Sequence, residues 1–370
     1  GFNNLSTYGN LLRLMKEGRI PQNEWEAEFY RMAIKVSGAV QAARWTELPD
    51  ELGYVYTFNG PHSLFVDTIR SMRILGLAHR FGHVLMGEGD RSISLLRRAL
   101  QHAETTARYN VYFGENRDSY DLRGRTAHEA IFNTNNGTFR CPSSQQGYSP
   151  FSTWTRGHAW VLCGFAEELE FLSELPDEDF NDLDLPYYQS KAAVLDRFLE
   201  VARATADFYI AQMPADGIPY WDTGAPNLHK LGAYQDKPAD PFNNWEPVDS
   251  SAAAIAAQGL LRLGRYLLES GDASGTEYFQ AGLTAAAVLF KAPYLSTDPE
   301  HQGLLLHSIY HRPNGWDHIQ PGEKVPNGES CMWGDYHLME LAVYVQSLAD
   351  GGPYLSFFAV PLKGVENENE

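Results

Sequence analysis

Residues 22–45 read QNEWEAEFYRMAIKVSGAVQAARW, and the reading of this stretch decides the fold. Trp25, Phe29, Met32, Val36 and Val40 recur at spacings of three and four, with Ile34 between them, which is the period of an amphipathic helix. Asn23 stands where an N-cap belongs, and Glu24 and Glu26 place negative charge in the first turn, where the helix dipole favours it. Residues 62–82 repeat the pattern with Leu64, Val66, Ile69, Met72, Leu75 and Leu77, ending near Gly82. Further helices are expected at 90–112, 155–175, 187–212, 249–269, 275–291 and 333–349, several opening on Asp or Ser, as at Asp249-Ser250-Ser251. No alternating segments of strand length recur. Long helices joined by loops of unequal length predict an all-α fold of stacked helical hairpins, either a solenoid or a closed α/α toroid. No fixed-period self-similarity supports a standard helical-repeat array.

The chain has 370 residues, of which 44% are apolar, so a large core is within reach. Lys and Arg number 29 against 47 Asp and Glu, a formal charge of −18. Nucleic acid and anionic membrane surfaces need a basic footprint, so neither is an expected partner. An acidic sugar is not excluded, because one or two local Arg or His side chains are enough to hold its carboxylate. Cys141, Cys163 and Cys331 cannot all pair and form no metal-binding spacing. No apolar run approaches the ~20 residues that span a bilayer, and no signal peptide opens the sequence as given, which leaves cytoplasm and periplasm equally open. No cofactor and no metal are expected.

The loops at 48–61, 113–154, 214–248 and 293–332 are rich in Gly, Pro, Asn and aromatics. These loops, or the helix starts that follow, carry six of the eight tryptophans (Trp154, Trp160, Trp221, Trp245, Trp316 and Trp333). They also carry His128, His229, His301, His307, His311 and His318. Aromatic faces concentrated outside the helical core suit a cleft that stacks sugar rings, although loops also bury satellite clusters.

Four constellations stand out. Asp67 and Arg70 lie one turn apart near a helix start, preceded by Tyr54, Tyr56 and Phe58, whose rings would shield the carboxylate from water. An isolated Asp at such a place is more often a cap. Next comes Gln146-Gly147-Tyr148, then Trp154-Thr155-Arg156-Gly157-His158-Ala159-Trp160; Arg156 offers a planar fork to a carboxylate and the tryptophans offer stacking plates, unless they form a buried structural pair. A third run, Gly217 to Asp222 with Trp221, precedes Asp249, which reads as the cap of a small-residue helix. The fourth runs from Leu304-Leu305-Leu306-His307-Ser308 to Trp333-Gly334-Asp335-Tyr336, without the convergent ligands of a metal site.

These blocks, in this order, resemble the unsaturated glucuronyl hydrolases, glycoside hydrolases with an (α/α)6 toroid that remove the 4,5-unsaturated uronic acid left by polysaccharide lyases. The resemblance covers roughly residues 50–350. It implies that Asp67 protonates the C4=C5 bond and activates water for attack at C5, and that His128 faces the substrate. It implies binding roles for Gln146, Arg156 and Trp160, with Phe58 near a stacking position. Arg70, Trp154, Trp221, His307 and Trp333 join the expected substrate-binding set from the constellations. Residues 1–350 would form one toroidal domain with an incomplete or altered first hairpin, and 351–370 an extension acidic at its end.

Two positions depart from the family. Its second aspartate, in a His-Asp pair, would fall near Asn3 or Asn4, and Pro150-Phe151 replaces the Asp-Asp that follows its Gln-Gly-Tyr. Asn still hydrogen-bonds a hydroxyl but carries no charge. The leading expectation is an exo-acting glycoside hydrolase on a terminal unsaturated glucuronyl residue. The alternatives are a saturated exo-glucuronidase, with Glu129, Glu329 or Asp335 as second carboxylate, a lyase on the same scaffold, or a non-catalytic sugar-binding toroid.

Overall fold

Asn23 opens its helix as its position suggests: its side chain accepts the backbone N–H groups of Trp25 and Glu26 at 3.1 and 3.2 Å. Ser94, Ser190 and Asp249 do the same for three later helices. The computed structural model describes residues 2–181 and 183–352, so most of the expected C-terminal extension lies outside the described residues.

The helices are α1 (residues 2–16, interrupted by the π-helical turn Leu5–Gly9), α2 (Glu24–Ala43), α3 (residues 66–80, opening as the 3-10 segment Val66–Met72), α4 (Leu95–Tyr109), α5 (Thr155–Glu174), α6 (Lys191–Gln212), α7 (Ser250–Glu269), α8 (Gly275–Leu289) and α9 (Met332–Ala349). In the inner layer α3 packs on α5, α5 on α7 and α7 on α9. Between them α2, α4, α6 and α8 form an outer layer. This is the double-layered arrangement of an α/α toroid. Inner helices α1, α3, α5 and α9 begin at one end, and that shared end carries the cavity described below.

Three small antiparallel sheets decorate the loops, none with a strand longer than five residues: β1–β2 (Trp45–Glu47, Gly53–Val55), β4–β5 (Val84–Met86, Ser92–Ser94) and β3–β6–β7 (Ser63–Phe65, Glu129–Phe132, Phe139–Ser143). Three to five residues are too few for a period-two pattern to stand out, which is why the sequence shows none.

The apolar stripe of α2 does not make the core. Its buried face consists of Ala27, Arg31, Ile34, Ser37, Gly38 and Ala42, while Trp25, Phe29, Met32, Val36 and Val40 lie exposed. Small residues let α2 approach α3 closely: a Cβ on Gly38 would come within 2.6 Å of the Ala78 methyl. Backbone proximity thus wins over side-chain bulk in setting which face turns inward.

Beneath the cavity the inner helices bury charge. Arg70 pairs with Glu167 at 2.8 Å and with Glu340 at 3.5 Å, Arg73 reaches Glu167 at 3.4 Å, and Arg262 pairs with Glu170 at 2.9 Å. Burial pushes the Glu170 carboxyl up to about 8 and raises Glu167 and Glu168 as well.

Buried histidines set a pH limit on stability. Burial drives His158 down to about 4, its ring held by the Thr205 carbonyl at 2.8 Å and the Thr126 hydroxyl at 3.2 Å. Its folded value lies below that of the unfolded chain, about 6.5, so the unfolded state takes up the proton first as pH falls. The stability from this group is therefore present above about pH 6.5 and lost progressively toward about 4. We expect His158→Asn to lose less stability than the wild type across that window in denaturant titrations. Parallel losses in the two proteins would show that His158 is not held neutral.

Candidate active site

Antiparallel pairing of β3 with β6 builds the centre of the site. Phe65 opposes Glu129, and the Val66 N–H donates to the His128 carbonyl at 2.8 Å, so Asp67 and His128 emerge side by side where the sheet ends and α3 begins. His128 Nε2 lies 3.7 Å from Asp67 Oδ1. Its Nδ1 accepts the backbone N–H groups of Gln145 and Gln146 at 3.0 and 3.3 Å. An imidazole whose Nδ1 is an acceptor carries its proton on Nε2, so the ring presents an N–H toward the carboxylate. The rings of Phe65 and Trp154 hold it at centroid distances of 4.6 and 4.7 Å.

Asp67 does not cap its helix. The start of that segment has no side-chain capping bond, and Asp67 Oδ1 has no hydrogen-bond partner although the side chain is only 29% exposed. A half-sheltered carboxylate oxygen without a partner is costly for structure alone. Such an oxygen is instead available to a substrate.

Asp67 opens onto a cavity of about 600 Å³ lined by residues from α1, α3, α5, α9 and the loops between them. The expected residues Asp67, Arg70, Gln146, Trp154, Arg156, Trp160 and Trp333 all line it, and His128 stands directly behind Asp67. Three others do not. Phe58 is exposed, its edge on Phe65, one ring layer away from His128. Trp221 is buried with its indole N–H on Glu246 at 2.9 Å, beside a separate cavity of about 210 Å³. His307 is buried between Phe242 and Tyr294 and accepts the Gly328 N–H at 3.0 Å. Burial pushes it down to about 4.

Phe2, Ser6 and Thr7 on α1, and Ser71, Tyr310, Met332 and Tyr336, line the cavity too and are not among the expected site residues, while Asn3 stands there only as a candidate match to the family's second aspartate. Tyr336 follows Trp333 by three residues at a helix start, so helical spacing alone could have placed it on the same wall. Asn3 faces the cavity, whereas Asn4 turns away to the Ser37 hydroxyl at 2.7 Å.

Arg156 is differently employed from what its fork suggested. Its guanidinium pairs with the buried Asp249 at 2.6 Å and donates to the Ile309 carbonyl, to the Tyr310 carbonyl at 2.7 Å and to Gln146 Oε1 at 3.4 Å. It is also stacked between Trp154 and Trp333, at 4.7 and 5.1 Å. With its charge neutralised and these donors taken, it fastens the cavity wall. Arg70 on the floor keeps one buried nitrogen, Nη1, without a hydrogen-bond partner. Of the carboxylates once considered as a partner to Asp67, Glu129 accepts from the Ser63 hydroxyl and Asn59, and Asp335 accepts the N–H groups of Leu304 and Leu305. Neither these nor Glu329 lines the cavity, and Asp67 is the one carboxylate among the described residues that does. Among the described residues no group of three or more His, Cys, Asp or Glu is placed to hold a metal ion. No described helix is long and apolar enough to cross a membrane.

Among the described residues the helical toroid brings one carboxylate, Asp67, to an aromatic cavity with His128 beside it. No family model matches the chain. Among curated proteins it is similar to the unsaturated glucuronyl hydrolase of Bacillus sp. (strain GL1), 30% identical over 213 residues, covering 58% of this chain and 44% of that protein. It is also similar to that of Formosa agariphila, 25% identical over 253 residues, covering 68% and 48%. The chain therefore spans about half the length of the curated relatives it matches. Among solved structures, the Bacillus sp. GL1 enzyme superposes with a TM-score of 0.61 at 24% identity, covering 87% of this chain and 69% of that one. An unsaturated glucuronyl hydrolase specific for heparin gives 0.65 at 20% identity, covering 95% and 74%. The chain is thus similar to unsaturated glucuronyl hydrolases over part of its length and shares the all-α toroidal fold of their solved structures.

Proposed function

We propose that the cavity holds a terminal 4,5-unsaturated uronic acid and that Asp67 hydrates its double bond. The observation that carries this is the single carboxylate. Hydrolysis of a saturated glycoside uses two carboxyl groups, about 5 to 10 Å apart depending on stereochemistry. Among the described residues the cavity wall offers Asp67 alone, with Asn3 near the position of the family's second aspartate. Addition of water to a vinyl ether needs only one group that gives a proton and takes one back.

In this scheme the Asp67 carboxyl gives its proton to C4, and the carboxylate then accepts a proton from the water that adds its oxygen to C5. Asp67 is thereby restored. The C5 hemiketal opens to a ketone and the former anomeric carbon, now a hemiacetal, expels the leaving sugar with its glycosidic oxygen. The His128 Nε2–H lies 3.7 Å from Asp67 Oδ1, a separation too long for a direct bond and suited to a water or hydroxyl accepted between them. Arg70 on the floor keeps one buried nitrogen, Nη1, without a protein partner, its charge being balanced by Glu167 and Glu340. Trp154, Trp160 and Trp333 supply ring faces for the sugar.

Offered an unsaturated uronyl disaccharide, the protein is expected to abolish the ultraviolet band of the conjugated double bond. A lyase would generate that band from a saturated polymer, a saturated-glucuronide hydrolase would leave it unchanged, and a binding protein would do nothing. Persistence of the band with this substrate counts against the proposal.

A further inference from the structure

The run from Gly217 to Asp222 has no part in the proposed hydration, yet its last residue reaches the site from behind. Asp222 is fully buried and pairs with Trp154 across an isolated antiparallel bridge. The strap is fastened on either side of it: the Thr155 N–H donates to the Trp221 carbonyl at 3.2 Å, the Thr223 N–H to the Thr153 carbonyl at 3.0 Å, and the Thr153 N–H to the Thr223 hydroxyl at 3.0 Å. Asp222 Oδ1 accepts the Gly224 N–H and Oδ2 the Tyr148 N–H, both at 2.8 Å. Among the described residues no cation pairs with this carboxylate. Burying a carboxylate without a cation is costly, and a neutral side chain would hold one N–H group without that cost. What the carboxylate alone offers is two separate oxygens that both accept.

The bond to Tyr148 closes a turn. Four successive backbone N–H groups point inward: those of Gln145 and Gln146 to His128 Nδ1, that of Gly147 to the Ser144 hydroxyl at 3.0 Å, and that of Tyr148 to Asp222. The turn lies so close to the strap that a Cβ on Gly147 would come within 2.9 Å of both Asp222 Oδ2 and the Trp154 Cβ. Ser144 belongs to the turn itself, so it is Asp222 that ties the turn's far end to the scaffold. With that tie cut, the peptide planes can rotate. A carbonyl that comes to face Nδ1 draws the ring proton onto it, and Nε2 then turns a lone pair toward Asp67 in place of an N–H.

We propose that Asp222 is a positioning residue: by anchoring the turn at 145–148 it keeps two N–H groups on His128 Nδ1 and so fixes the tautomer that presents Nε2–H beside Asp67. The use made of that N–H rests on the proposed function above, whereas the control of the tautomer does not.

The tautomer is read by nuclear magnetic resonance of the labelled imidazole nitrogens at about pH 8, above the range in which histidine titrates, with His128 assigned from the signals that His128→Asn removes. The wild type is expected to carry the His128 proton on Nε2 alone. In Asp222→Ala the two ring nitrogens should share it, and kcat on an unsaturated disaccharide should fall roughly a hundredfold, the scale of a displaced reacting group, with KM changed far less. Asp222→Asn keeps the volume and one accepting oxygen, so a smaller share of the second tautomer and a smaller loss of kcat are expected; it decides the question if the alanine variant does not fold. Thr223→Val removes the bond to the Thr153 N–H in the same strap, and it should lower stability while leaving tautomer and kcat at wild-type values. A wild type protonated on Nδ1, folded Asp222 variants that keep the proton wholly on Nε2, or a Thr223→Val variant that shifts the tautomer as far as Asp222→Ala would overturn the inference. The spectra need no substrate, so if no unsaturated disaccharide is consumed the hydration reading fails and the role of Asp222 is still decided.

Discussion

Asp67→Asn is expected to lower kcat by roughly a thousandfold or more, within the range that general acid–base groups contribute, while KM changes little. The amide keeps the size of the carboxyl and can hydrogen-bond the same hydroxyl groups, but it has no proton to give to C4 and no charge with which to accept one from water. Asp67 Oδ1 has no protein partner to lose, so folding should be spared, and the loss should fall on turnover alone. The check is steady-state kinetics of the variant on an unsaturated disaccharide, with its affinity measured separately by calorimetry. Turnover within tenfold of the wild type would remove Asp67 from the reaction. Loss of affinity in place of turnover would make it a binding group.

The second large effect concerns stability. Asp249→Ala should destabilise the protein by about 5 kcal/mol, because removing one partner of a buried ion pair leaves the other charge uncompensated, at a cost of about 3–5 kcal/mol, and losing a cap adds about 1. Asp249 is fully buried, pairs with Arg156, and caps α7 through the N–H groups of Ser251 and Ala252 at 3.1 and 3.4 Å. Asp249→Asn keeps an oxygen for the cap and loses the charge, so it should fall between wild type and alanine. Chemical denaturation measures both. A cost below about 1 kcal/mol for the alanine variant would mean that Arg156 finds another partner or reaches water, and that it does not lock the cavity wall.

The helical scaffold was legible because its signals are local. Each cap and each apolar period lies within one segment, and α2 to α9 fall within a few residues of where the sequence places them, whereas α1 was not expected. The face that α2 buries was not legible. Its inward side is written in Ala27, Ser37, Gly38 and Ala42, small residues whose value is the closeness they permit to α3, while the bulky residues that dominate a periodicity count point outward.

The site divides in the same way. Trp154, Arg156 and Trp160 share one helix start, so a short motif brings them together. Asp67 and His128 are far apart in sequence and meet through a three-residue strand pairing that no alternation announces. Trp221 and His307 sit in loops rich in aromatics, as the cavity residues do. What separates them is a buried partner, Glu246 for one and the Phe242 and Tyr294 rings for the other, and such partners are visible only in three dimensions. Arg156 offers the clearest change of reading: a guanidinium near a cavity suggests a ligand anion, yet here the anion is Asp249 of the same chain.

The central claim is that one carboxyl adds water across a carbon–carbon double bond. The most direct test follows an unsaturated disaccharide in deuterated water by nuclear magnetic resonance. We predict that the vinyl proton signal disappears together with the ultraviolet band, that one solvent deuteron is found at C4 of the released sugar, and that the leaving sugar keeps its glycosidic oxygen. A released sugar that retains its double bond, with cleavage by water at the anomeric carbon, would contradict the account.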